Sequence, residues 1–129
     1  PDAYQVNGKQ RRCRIYGIRN CDAMKKAFAW LAEHGVAYDF TDYRRVGVTD
    51  ELLAEWNRRI GWQLLLNTSG TTWKRLGDEE RAGIDETRAL ILMARHPSLI
   101  RRPLLDTGND LLIGFDAARY ADALAGAGE

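Results

Sequence analysis

The first apolar cluster covers residues 13–18, Cys13-Arg14-Ile15-Tyr16-Gly17-Ile18, and reads as a short buried strand. The period then changes. Ala23, Met24, Ala27, Phe28 and Leu31 recur three and four residues apart, the stripe of a helix over 21–34. Asn20 is its expected N-cap, Asp22 suits the first turn, and Gly35 is the closing glycine. Val36, Tyr38 and Phe40 alternate with Ala37, Asp39 and Thr41, the period of a half-buried strand. Strand, helix and strand in this order allow a right-handed parallel crossover.

The next stretch has a different character. Thr49 caps a predicted helix over 50–60, closed by Gly61. Leu64-Leu65-Leu66 is short and apolar, and 67–72 is a polar turn leading to a helical piece over 73–76. Asp85 caps a helix over 86–96, stopped by Pro97. Residues 49–99 therefore read as a helical insert. The sheet resumes at Arg102-Pro103-Leu104-Leu105, turns at Gly108-Asn109 and returns through Leu111-Leu112-Ile113. Asp116 caps a last helix with Ala118, Tyr120, Ala121 and Leu124 as packing residues. The order β-α-β, helical lobe, β-β-α predicts an α/β fold with a thioredoxin-like mixed sheet. Residues 1–12 are polar and expected to be a flexible segment, with 13–129 as a single domain.

Composition narrows the function more than the fold. With 19 Lys and Arg against 18 Asp and Glu, the net charge of +1 lacks the surplus that broad nucleic-acid binding requires. No apolar run approaches the ~20 residues of a membrane span. The polar stretch 1–14 carries no apolar signal region, so the cytoplasm is the expected location. His34 and His96 stand at helix ends without neighbouring ligand types, so no metal site is expected.

Two cysteines are too few for a disulfide scaffold. Cys13 and Cys21 lie toward opposite ends of one strand rising ~3.3 Å per residue, too far apart to bond. Position 24 is Met, so there is no CxxC pair. Cys21 stands where a helix begins. Free N–H groups and the positive end of the dipole favour a thiolate there, below the ~8.5 pKa of a free cysteine. Arg19, Lys25 and Lys26 add positive charge nearby. A buried structural cysteine is the competing reading.

Several blocks resemble the arsenate reductase (ArsC/Spx) family, closest to its YffB-type branch. They are Tyr16-Gly17-Ile18, Asn20-Cys21-Asp22, Lys25-Lys26-Ala27, Asn67, Gly70-Thr71-Thr72-Trp73 and Leu99-Ile100-Arg101-Arg102-Pro103. The likeness spans about residues 14–124. It implies a thioredoxin-like fold with a helical insert and a nucleophilic Cys21. It also implies an oxyanion- or carboxylate-binding Arg102 and a cis Pro103 facing the cysteine. Asn20, Asp22, Lys25, Asn67, Thr71, Thr72 and Pro103 are the matching substrate- or glutathione-binding positions. The block 67–74 reads equally as a capped turn. The family's glutaredoxin-linked arsenate reductases surround the oxyanion with three arginines. Here Asn67 replaces one, no arginine stands near Gly114-Phe115 where another is expected, and Arg102 alone remains of the three.

The implied activity is a glutathione-dependent thiol oxidoreductase acting through one cysteine, on a disulfide or small oxyanion. Glutathione or glutaredoxin resolves the adduct, and no cofactor is tightly bound. The alternatives are an arsenate reductase proper and a non-catalytic binding module, such as a regulator touching RNA polymerase. Regulators of the Spx type commonly carry the CxxC switch that Met24 removes.

Overall fold

The computed structural model describes residues 12–125 and two short strands before them, β1 (Gln5–Val6) and β2 (Lys9–Gln10), which pair antiparallel. The flexible segment expected over 1–12 otherwise lies outside the described residues, Arg12 excepted. The chain divides into two compact units, one of Pro1–Asp42 with Arg102–Glu129, the other of Tyr43–Arg101.

The first unit holds the four-stranded sheet, in the order β4-β3-β5-β6. Strand β3 (Cys13–Gly17) is central, and β4 (Tyr38–Asp42) runs parallel to it. On its other side β5 (Leu104–Asp106) is antiparallel, and β6 (Leu111–Ile113) is antiparallel to β5. This is the mixed thioredoxin-like arrangement that the order of elements predicts. In β3 Cys13, Ile15, Tyr16 and Gly17 are buried, while Arg14 is exposed.

Helix α1 (Asp22–Glu33) buries Met24, Ala27 and Leu31. They join Cys13, Ile15, Val36, Leu105, Tyr120 and Leu124 in one core cluster. The helix ends in a Schellman arrangement. The Val36 N–H donates to the Leu31 carbonyl at 2.9 Å and the Gly35 N–H to that of Ala32 at 3.2 Å. Gly35 has φ +65°, which glycine adopts without steric cost. Arg12 reaches β4, with Nε 3.1 Å from Asp39 Oδ1 and Nη2 donating to the Tyr38 carbonyl at 2.8 Å.

The second unit begins earlier and ends later than the 49–99 expected of the insert. It opens with α2 (Tyr43–Val46), a single turn too short to leave a period in the sequence. Tyr43 is buried and its hydroxyl donates to the Ile100 carbonyl at 2.7 Å. Helix α3 (Asp50–Ile60) follows, and then α4 (Trp62–Leu65). The Leu64-Leu65-Leu66 run is thus a helix end, after which Leu66 bridges Ile100. Two more short helices, α5 (Thr71–Arg75) and α6 (Asp78–Arg81), lead to α7 (Glu86–Arg95) and a 3-10 turn at Pro97–Leu99. Trp56, Leu53, Leu65, Met93 and Leu99 form the buried interior. The first unit closes with α8 (Ala117–Leu124). Among the described residues no helix is long and apolar enough to cross a membrane.

Candidate functional site

The site grows from the end of β3. Four residues separate Gly17 from α1, and the last of them, Cys21, has extended backbone (φ −140°, ψ 135°). Its carbonyl accepts from the Lys25 N–H at 3.0 Å, the first bond of the helix ladder. Cys21 itself is therefore the N-cap, and Asn20, the expected cap, lies one residue outside. The side chain at the cap position is thus a thiol.

A neutral sulfur is a weak acceptor, and the thiol makes no well-formed cap hydrogen bond. The N–H groups of Ala23 and Met24 nevertheless point at it, and the Arg102 side chain hydrogen-bonds to it. Partial burial pushes the thiol pKa up. The Met24 and Ala23 N–H groups, with the hydrogen bond and charge of Arg102, outweigh that, and the net pKa lies below that of an ordinary thiol. Half-buried, Cys21 combines a favoured anion with access for a reagent.

Arg102 is the cation that acts on the sulfur. It immediately precedes Pro103 across a cis peptide bond, the isomer that the family likeness implies. The Pro103 carbonyl accepts from the Gly114 N–H at 2.8 Å, which anchors this corner to the end of β6. Arg19, a candidate from its place in the sequence, is engaged elsewhere. Its guanidinium carbon lies 5.5 Å from the Phe40 ring centroid, and its N–H donates to Asp42 Oδ2 at 3.3 Å. Asp22, Lys25 and Lys26 are exposed on the first turn of α1.

The other cysteine has a different environment. Cys13 is fully buried in the core, and neither cysteine is in a disulfide. Burial raises the pKa of the neighbouring Tyr120 hydroxyl, and Cys13 adds to that. A thiol in such surroundings is inert.

Asn67, Thr71 and Thr72 belong to the second unit. Asn67 Oδ1 accepts from the Ser69 N–H at 2.9 Å, closing an Asx turn, and its own N–H donates to the Leu99 carbonyl at 2.8 Å. Thr71 and Thr72 open the five-residue helix α5, whose N-cap is Gly70. Among the described residues no group of three or more His, Cys, Asp or Glu could hold a metal ion.

One residue of the site escapes sequence reasoning. Gly17 ends β3, and a Cβ there would overlap the Met24 sulfur, fall 2.8 Å from Met24 Cε and lie 3.4 Å from Arg102 Cβ. The available signal was a glycine in an otherwise side-chain-rich central strand.

Known proteins resemble the chain over most of its length. The model of the ArsC family matches residues 16–123. An uncharacterised protein of Haemophilus influenzae is 39% identical over 111 residues, covering 86% of this chain and 97% of that one. The solved structure of a YffB protein is 48% identical with a TM-score of 0.84, covering 87% of this chain and 98% of its own. The solution structure of an arsenate reductase (ArsC) related protein from Brucella melitensis is 39% identical with a TM-score of 0.71, covering 88% and 95%.

Proposed function

The chain belongs to the ArsC family, and we propose that it acts there as a glutathione-dependent thiol oxidoreductase with Cys21 as its single nucleophile. The observation that carries this reading is the Arg102 side chain on the Cys21 sulfur at the open end of α1.

The thiolate attacks the glutathione sulfur of a mixed disulfide. The S–S bond breaks, its electron pair leaves on the substrate sulfur, and solvent supplies the proton. Cys21 is left disulfide-bonded to glutathione. A second glutathione, as thiolate, then attacks the bound glutathione sulfur. Glutathione disulfide leaves and Cys21 returns as thiolate. One disulfide is reduced for each glutathione disulfide formed.

The resolving thiol comes from outside because Met24 stands three residues after Cys21 and Cys13 is sealed in the core. Glutaredoxin can take the same step. Arg102 and the first-turn N–H groups hold negative charge at the sulfur; Asn20 and Asp22 flank Cys21 in the chain, the Lys25 N–H donates to its carbonyl, and Pro103 follows Arg102. The cytoplasm suits the cycle, since glutathione keeps thiols reduced there.

Of the three arginine positions that the family likeness implies around an arsenate dianion, Arg102 alone is filled, each lost charge-assisted contact costing roughly 1.5–3 kcal/mol. A disulfide asks for only one developing thiolate to be stabilised, which is why we favour it. The test is turnover of a glutathionylated model thiol with reduced glutathione. We expect a glutathione adduct on Cys21 and no turnover by Cys21→Ser. Turnover retained by Cys21→Ser contradicts the proposal, and turnover requiring arsenate would support an arsenate reductase instead.

A further inference from the structure

Gly17 occupies the last position of β3, paired with Asp42. Its φ is not in the left-handed region, so backbone conformation does not explain a glycine here. Space does. Met24 is fully buried, and its sulfur and Cε lie where a Cβ of residue 17 would be. Arg102 Cβ flanks the same point at 3.4 Å. Three pieces of the site therefore meet over one missing side chain: the end of β3, the first turn of α1 and the residue before Pro103. Met24 is also the third residue of α1, and its N–H points at the Cys21 sulfur.

We propose that Gly17 is a positioning residue: by leaving room for the Met24 side chain, it seats the first turn of α1 against β3 and holds the Met24 N–H and Arg102 at the Cys21 sulfur. The inference rests on the thiol reading above. A methyl group at position 17 leaves a fully enclosed side chain two ways to move. Either Met24 finds another rotamer in a filled core, or the turn that carries it lifts from the strand. Dense interiors resist the first, because neighbouring side chains leave few voids. The second carries the Met24 N–H away from the sulfur and weakens its hold on the thiolate.

The test is the alkylation rate of Cys21 against pH, in proteins whose Cys13 is replaced by Ala. Four proteins are compared: the parent, Gly17→Ala, Met24→Ala and the double variant. Gly17→Ala should raise the midpoint and lower the rate at pH 7 roughly threefold. In the Met24→Ala background the sulfur and Cε are gone, so adding Gly17→Ala should shift the midpoint no further. An unchanged midpoint in Gly17→Ala overturns the proposal, as does an equal shift in both backgrounds. If Gly17→Ala does not fold, the double variant must fold and match the midpoint of Met24→Ala, and its failure to do so overturns the proposal. A parent midpoint at ~8.5 or above defeats the thiol reading itself, a separate outcome from either of these.

Discussion

Helix α1 begins differently from α3, α7 and α8. Each of the latter three is capped by an oxygen. The Leu52 N–H donates to Thr49 Oγ1 at 3.1 Å, the Arg88 N–H to Asp85 Oδ1 at 2.9 Å and the Arg119 N–H to Asp116 Oδ1 at 3.0 Å. In every case the donor is the third residue of the helix, the usual partner of an N-cap side chain. At α1 the same position belongs to Met24, and what it faces is the Cys21 sulfur. An oxygen satisfies its donor permanently. A neutral thiol barely does, so the donors at α1 are held for the ionised form. Three helix starts carry a side-chain oxygen at the cap, and that of α1 carries a thiol whose pKa lies below the ordinary value.

The largest effect that sharpens this contrast is Cys21→Ser. Serine is a good cap, so α1 should come to resemble the other three helices. Adduct formation with glutathione should vanish, while stability near neutral pH rises by up to about 1 kcal/mol, read by denaturant melts. The difference should depend on pH. The folded-state pKa of Cys21 lies below its unfolded value, so thiolate stabilisation is fully present above ~8.5 and is lost as pH falls through the folded pKa. The parent protein should therefore gain on the serine variant as pH rises toward ~8.5. A stability gap constant across that range would show that the thiolate is not held by the helix.

Removing Arg102 comes next in size. Arg102→Ala takes away a side chain that bonds the thiol, and alkylation at pH 7 should slow several-fold, with the midpoint displaced upward. Arg102→Lys should recover part of the rate, since it restores the charge but not the planar donor fork. A profile unmoved by Arg102→Ala would assign the activation to the helix end alone.

The two smallest effects probe the other side of the contrast. Asp85→Ala removes an oxygen cap and should cost about 1 kcal/mol in a denaturant melt while leaving the Cys21 pH profile alone. Arg19→Ala should leave that profile in place as well, because its guanidinium sits over Phe40 and not at the sulfur. Either variant shifting the thiol midpoint would mean that a charge outside the immediate site reaches it.

Much of this was readable in the chain. The caps Thr49, Asp85 and Asp116 mark their helices because an oxygen side chain before an apolar period is a local signal. The four core strands follow from period and turn chemistry, with boundaries shifted by a residue or two. The cap of α1 falls one residue after Asn20, the better cap by propensity, because the strand-to-helix path makes Cys21 the N-cap. The turn α2 is not legible in the sequence because four residues carry no period. Which cation meets the thiol was not legible from spacing. Arg19 is two residues from Cys21 and Arg102 is 81 away, yet the sheet brings Arg102 to the sulfur. Gly17 escaped for the same reason, since its role depends on what lies above it in space.

The most direct test of the account is the pH profile of Cys21 alkylation in the Cys13→Ala protein. The account predicts a midpoint clearly below ~8.5, rising when Arg102 is replaced by Ala. A midpoint at or above that value would contradict it, leaving Cys21 an ordinary half-buried thiol on a family fold.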